Sequence, residues 1–141
     1  MIALIILLSP FLTAVEFGFE NVGYSVSESI GVVEVGVVKY GSSSLPLSVS
    51  LSTMSGSATS PQDFTAISVQ LIFSPTQNRQ TVNINIINDD IFEDSEEFFV
   101  LLISVSPQSR VRLDGSNTTT VLISDDDSKL IKPSQCNIVN W

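Results

Sequence analysis

The stretch of sequence that decides the fold is TVNINIINDDIFEDSEEFFVL, residues 81–101. Its first third alternates apolar Val82, Ile84 and Ile86 with Thr and Asn, a period of two that predicts a strand with one face on a core. Its last third begins a run, 98–105, that is apolar on both faces and predicts a central strand covered on both sides. Between the two strands lies an acidic segment that contains Asp89, Asp90, Glu93, Asp94 and Glu96.

The same period of two recurs along most of the chain. Together with the two strands above, the expected strands cover 15–19, 22–27, 32–40, 47–52, 69–73 and 118–124. Turn formers such as Gly41-Ser42, Ser60-Pro61 and Asp114-Gly115 separate the runs. About seven short strands with frequent turns predict an all-β fold, an antiparallel β-sandwich. Strand spacing alone does not separate a sandwich from a barrel.

Length and charge restrict the function. The chain has 141 residues, enough for one domain with a real core. Six basic against fifteen acidic residues give a net charge of −9, which argues against binding to nucleic acid or anionic lipid, because both rest on Lys and Arg. With no His, the usual catalytic triads and zinc sites are excluded. Glu93 and Glu96 could in principle pair for glycoside hydrolysis, but no aromatic sugar platform accompanies them. We expect no enzyme activity.

Two acidic runs lie at strand ends, the one in 89–97 and Asp125-Asp126-Asp127. Like charges crowded in this way repel, so a polyvalent cation is the natural neutraliser. Carboxylate oxygens without His or thiolate partners suit a hard cation, and calcium takes six to eight such oxygens. The alternative is that both runs are solvated acidic turns that bind nothing strongly.

The two ends of the chain differ from its middle. Residues 1–14 are apolar and uncharged, which fits either an export signal or a truncated start. Residues 128–141 lack alternation and are expected to form an unstructured tail, which holds the single Cys136. Asn117-Thr118-Thr119 is a glycosylation sequon and agrees with export. The predicted β-sandwich therefore covers residues 15–127.

The order of several short motifs resembles the Calx-beta domain, a module of sodium–calcium exchangers, integrin β4 and large adhesion proteins. The resemblance covers about residues 17–127. Its motifs are Tyr24-Ser25-Val26-Ser27-Glu28, the strand ending at Lys39-Tyr40-Gly41, Asp63-Phe64, Leu71-Ile72-Phe73-Ser74-Pro75, the segment 86–101 and the closing run 121–127. Each motif is weak alone, whereas their order and spacing are specific. The resemblance implies an immunoglobulin-like sandwich of two sheets.

The resemblance also implies a calcium site at one end of that sandwich. By position, the implied ligands are Glu28, Asp63, Asp89, Glu93, Glu96, Asp125, Asp126 and Asp127, with the backbone carbonyl of Ile91. Asp90 and Asp94 match more variable positions. Asn88 stands where strong calcium binders of the family carry an aspartate, so one negative charge is lost and affinity or ion number should fall.

The leading hypothesis is a calcium-binding Calx-beta module of an adhesion or cell-communication protein, whose cation makes one end of the sandwich rigid. Its expected location is secreted or on the extracellular side of the plasma membrane. Its expected partners are neighbouring modules or other extracellular proteins. One alternative is a calcium-independent structural spacer. Another is a calcium-sensor fragment of a membrane transporter, against which stands the lack of any transmembrane helix pattern in this chain.

Overall fold

A computed structural model describes residues 15–109 and 111–127. The predictions for 1–14 and 128–141 lie outside the described residues. The strands are β1 (Val15–Phe19), β2 (Gly23–Ser27), β3 (Val32–Tyr40), β4 (Leu47–Ser55), β5 (Ser68–Phe73), β6 (Arg79–Asn85), β7 (Glu96–Ser106), β8 (Val111–Leu113) and β9 (Thr118–Ser124). One turn of 3₁₀ helix, Glu28–Ile30, joins β2 to β3.

The strands form two layers, a four-stranded sheet in the order β6-β3-β1-β8 and a five-stranded sheet in the order β2-β9-β7-β4-β5. The predicted all-β sandwich is confirmed. The described residues contain nine strands instead of about seven; the strand that the sequence did not predict is β8, three residues at the edge of the four-stranded sheet. Two pairs, β1 with β8 and β2 with β9, are parallel, so the sheets are not wholly antiparallel.

The core lies between the two sheets and is built from the alternate residues that the sequence marks. In β3 the buried apolar side chains are Val33, Val35 and Val37, and the alternating apolar residues of β4 and β6 are buried as well. Phe64 and Phe98 stack at 4.0 Å between ring centroids and are both fully buried. Burial of each such ring contributes on the order of 2–3 kcal/mol to folding.

Strand β7 is central, as predicted, but it is covered on one face only. Phe98, Val100 and Leu102 point into the core, whereas Phe99 and Leu101 on the other face are half-buried. The expectation of cover on both faces was therefore wrong within the described residues. An apolar outer face is left on the five-stranded sheet.

Candidate metal centre

Strand pairing gathers the predicted acidic segments at one end of the sandwich. Because β2 and β9 are parallel and pair Ser27 with Ser124, the residues that follow each strand, Glu28 and Asp125, lie side by side. Strand β7 runs antiparallel to β9 and pairs Glu96 with Ile123, so its first residue lies at the same end. The loop after β6 begins there too, since Asn85, the last residue of β6, pairs with the first residue of β3.

The turn that carries Glu28 is fixed by a glycine. Gly31 has a φ of 74°, a left-handed conformation that side chains rarely adopt, and it ends the 3₁₀ turn. Its carbonyl accepts a hydrogen bond from the N–H of Ile86 at 3.0 Å. This bond holds the turn of Glu28 against the start of the acidic loop 86–95.

The first group of carboxylates is Glu28, Asp125 and Asp127. One oxygen from each lies within 4.8 Å of the other two. Two ligands on opposite sides of a calcium ion are about 5 Å apart, so this spacing fits a shared ion. Glu28 is only 6% exposed, and its Oε1 and the Oδ2 of Asp127 are buried without a hydrogen-bond partner among the described residues. A buried carboxylate oxygen without a partner is costly, and a cation would remove that cost.

Burial and neighbouring charges raise the pKa of two carboxyls in this group. Burial, followed by the charges of Asp125, Asp127, Asp126 and Asp89, raises the pKa of Glu28 to about 7. Burial also raises the pKa of Asp127, with the charge of Asp125 as the next cause. The proton therefore competes with any cation for these oxygens.

The second group is Asp63, Glu93 and Glu96, again with one oxygen from each within 4.8 Å of the others. Burial, then the charge of Asp63, raises the pKa of both glutamates. Asp63 is fixed by a local turn, because its Oδ2 accepts the N–H of Thr59 at 2.6 Å and its own N–H donates to the Thr59 carbonyl at 2.9 Å. This turn fixes Asp63 beside the two glutamates, and its role as a ligand stays a prediction.

Hydrogen bonds to the backbone order the acidic loops. Asp89 Oδ1 accepts the N–H of Ile91 at 2.7 Å. Asp125 accepts two amides, that of Glu93 at 3.0 Å through Oδ2 and that of Asp127 at 2.8 Å through Oδ1. Asp125 therefore ties the loop 86–95 to the end of β9. These bonds order the positions that the sequence predicts as ligands.

No basic side chain among the described residues neutralises this end. Lys39 is buried elsewhere and donates to the carbonyls of Ser74 and Pro75 at 3.2 and 2.9 Å. Arg79 makes its ion pair with Glu20 at 2.8 Å on the four-stranded sheet, and Arg112 lies in the edge strand β8. The carboxylates therefore repel one another unless protons or cations intervene.

A single cleft joins the two groups. The residues that line it are Glu28, Asp63, Ile87, Asp89, Glu93, Asp94, Glu96, Ile123 and Asp125. Asp89 raises the pKa of both Glu28 and Glu93, so it is close enough to act on both groups. Asp94, which the resemblance set among variable positions, lies in the lining. Its place in the acidic run was the only sequence feature that pointed to it.

Three predicted ligands belong to neither group, namely Asp89, which lines the cleft, Asp126 and Ile91. Asp126 is hydrogen-bonded to Ser29 and Ser27, and also to Glu28, and these bonds lower its pKa. The sequence reasoning missed these two serines, although hydroxyl residues flanking Glu28 were visible. Ile91 has an exposed side chain, and its N–H is the donor to Asp89, so its carbonyl as a ligand stays a prediction. Asn88 is exposed and is not among the residues that line the cleft.

The donor chemistry of the cleft is that of a hard-cation site. The charged groups of the lining are all carboxylates, and the chain contains no His. The family model of the Calx-beta domain matches residues 13–127 of this sequence. The chain belongs to the Calx-beta family.

Relatives of this Calx-beta domain are sodium/calcium exchangers. The sodium/calcium exchanger Calx of Drosophila melanogaster is 38% identical over 109 residues, which cover 77% of this chain and 11% of the exchanger. The chain thus spans about one-ninth of that relative. The crystal structure of the apo-form Calx CBD1 domain has a TM-score of 0.77 at 36% identity, covering 81% of this chain and 99% of that one. The crystal structure of the calcium binding domain CBD12 of CALX1.1 has a TM-score of 0.75 at 37% identity, covering 79% of this chain and 46% of that one.

These likenesses decide several predictions. The family and the immunoglobulin-like sandwich are confirmed, and calcium is confirmed as the ion of the family. The extracellular adhesion role, extracellular partners and extracellular location find no support, because the relatives are membrane exchangers. The expectation of no enzyme activity agrees with relatives named as transporters. Among the described residues, no helix has the length and apolarity needed to cross a membrane.

Proposed function

We propose that this Calx-beta domain is a calcium-binding regulatory module of a membrane transporter of the sodium/calcium exchanger type. The observation that carries the proposal is the cleft in which two carboxylate groups meet without a basic neighbour among the described residues. The likeness to exchanger Calx and to a structure named as a calcium binding domain supports it. The transporter-sensor alternative therefore replaces the adhesion hypothesis as the leading one.

The two groups of carboxylates define two candidate cation positions. We assign one ion to Glu28, Asp125 and Asp127 and a second to Asp63, Glu93 and Glu96. Each group supplies three carboxylates, and water with backbone carbonyls would complete the six to eight oxygens that calcium takes. Asp89 raises the pKa of Glu28 in the first group and of Glu93 in the second, so its charge would act on both ions.

Calcium would act as a regulator by fixing the loops at this end. Without an ion, repulsion among Glu28, Glu93 and Asp125 opposes the hydrogen bonds that join the 3₁₀ turn, the loop 86–95 and the end of β9. With an ion, the same carboxylates would hold these three segments together more firmly. The change in order at this end of the sandwich would then be a signal that a transporter can use.

Calorimetric titration of the full chain with calcium tests the site. We expect about two ions to bind, with Glu96→Gln weakening one event and Asp127→Asn the other. The matched control is Glu97→Gln, which removes the same charge from the exposed neighbour of Glu96. Absence of binding at millimolar calcium would leave the hydrated structural spacer as the function. Equal effects of Glu96→Gln and Glu97→Gln would remove the assignment of Glu96 as a ligand.

The regulatory role needs a second experiment, in the transporter itself. We would replace the homologous segment of the Drosophila exchanger Calx by residues 15–127 and record the dependence of transport on regulatory calcium. The expected result is a calcium response that shifts to higher concentration when Asp125→Asn is introduced. If the calcium response is the same with and without Asp125→Asn, calcium binding at this site does not regulate transport, and the sensor role is rejected.

A further inference from the structure

The outer face of the five-stranded sheet is almost uncharged. Its described residues are largely hydroxyl or amide, namely Ser25, Ser48, Ser50, Ser52, Ser68, Gln70, Thr118 and Thr120. Among the strand residues described on this face Glu97 is the one charged residue, and it lies opposite Leu122 at the end of the sheet nearest the acidic cleft. The outer face of the four-stranded sheet differs, because it carries Glu16, Glu34, Arg79 and Arg112.

An apolar patch occupies part of this uncharged face. It consists of Met54, Phe99, Leu101 and Leu122, and we call it the β4-β7-β9 patch. Met54 lies directly opposite Phe99, and Phe99 lies opposite Thr120 on the other side. Met54 is 50% and Leu122 38% exposed. Large apolar side chains contiguous on an exposed sheet face mark an interaction surface more often than chance scatter does.

We propose that this face binds a second copy of the chain, forming a two-fold dimer in which the two five-stranded sheets pack face to face. Each copy carries a net charge of −9, so most surfaces of two copies repel one another. The uncharged face is the one described surface on which that repulsion is least. A two-fold axis brings the same patch together from both copies, and the patch is self-complementary in polarity.

The size of the face suits such a dimer. Five strands spaced at ~4.8 Å are about 24 Å wide, and their mean length of about eight residues at ~3.3 Å is about 25 Å. The flat area is therefore about 600 Å², roughly three-quarters of the ~800 Å² per partner of a standard interface. The short serine and threonine side chains beside the patch allow the sheets to approach to the ~10 Å typical of packed sheets.

Sedimentation equilibrium of the full chain tests the proposal. The buffer contains a reductant, so that Cys136 cannot link two chains, and about 0.15 M salt to screen the net charge. Over roughly 5 to 500 μM we expect the average mass to rise from 15.3 kDa towards about twice that value. A chain that stays at the monomer mass over the whole range overturns the proposal.

Charge substitutions locate the interface. Met54→Lys places like charges across the two-fold axis and should hold the chain at the monomer mass. The matched control is Tyr40→Lys, which adds the same charge at a 48% exposed aromatic on the other sheet and should dimerise as the unaltered chain does. If Met54→Lys does not fold by circular dichroism, Leu122→Lys takes its place. A folded patch variant that still dimerises, or a control that does not, shows that another surface is used and overturns the proposal.

Discussion

Replacing Glu28 by glutamine should make the metal-free domain more stable above neutral pH. Glutamine keeps the size of the side chain and removes a charge that sits 6% exposed among Asp125, Asp127, Asp126 and Asp89. The folded domain raises the pKa of Glu28 from 4.5 to about 7. The folded state therefore holds the proton more tightly than the unfolded chain does. Its metal-free stability must fall as pH rises from about 4.5 through 7.

The pKa shift sets the size of the effect. At ~1.4 kcal/mol per pKa unit, the shift of Glu28 corresponds to about 3 kcal/mol at most. Asp89 and Asp94 on the same cleft are exposed, so water screens the repulsion. We therefore expect Glu28→Gln to gain about 1–2 kcal/mol at pH 8 in chelator and almost nothing near pH 4. With saturating calcium the sign reverses, because the variant has lost a ligand.

Urea unfolding curves between pH 4 and pH 8.5, in chelator and in millimolar calcium, measure these differences. Glu16→Gln serves as the control, since it removes the same charge from an exposed position on the four-stranded sheet. The reasoning fails if Glu28→Gln and the unaltered chain are equally stable at pH 8 in chelator. It fails equally if the control gains as much, because the gain would then come from net charge alone.

Four further results are expected. Calcium at about 100 times its dissociation constant should add ~2.7 kcal/mol to the unfolding free energy, and equal melting temperatures in calcium and chelator would contradict a site. Asp125→Asn with Asp126→Asn should weaken calcium binding in calorimetry but leave the circular dichroism spectrum unchanged, because both residues follow the last strand; unfolding in saturating calcium would show a structural role. Asn88→Asp should lower metal-free stability and tighten calcium binding, and destabilisation with no tighter binding would argue against coordination there. Phe64→Ala should cost about 3–5 kcal/mol in urea unfolding by emptying the stack on Phe98, and a loss below 1 kcal/mol would refute the importance of that stack.

The local strand pattern was readable because one face of most strands meets the core. Val33, Val35 and Val37 are separated by exposed Glu34 and by Gly36, which has no side chain, so the sequence predicted both the strand and its inner face. The pattern says nothing about which strands pair. The three residues of β8 and the parallel pairing of β2 with β9 depend on distant segments, and no period within one segment reports them.

The site, like the fold, could be predicted from the sequence only where it depends on neighbouring residues in the chain. Acidic runs at strand ends predicted that carboxylates gather at one end of the sandwich, because strand ends are where loops collect. Which carboxylates lie close enough to share an ion depends on strand pairing, and the structure separates Glu28 from Asp63 into different groups. The burial of Lys39, which donates to two carbonyls, was equally invisible, because only the folded chain brings Ser74 and Pro75 to it.

The position of Asn88 in the structure changes the effect expected from this residue, which is the one departure from the family pattern. Loss of a carboxylate at Asn88 was expected to lower affinity or ion number, yet Asn88 is not among the residues that line the cleft, whereas Asp94 is. A charge outside the lining acts through the general field, which water and salt screen. Asp125 also ties two loops together through its hydrogen bonds. The gain from Asn88→Asp should therefore be smaller than the loss from Asp125→Asn, because only the second changes both the charge and the order of the site.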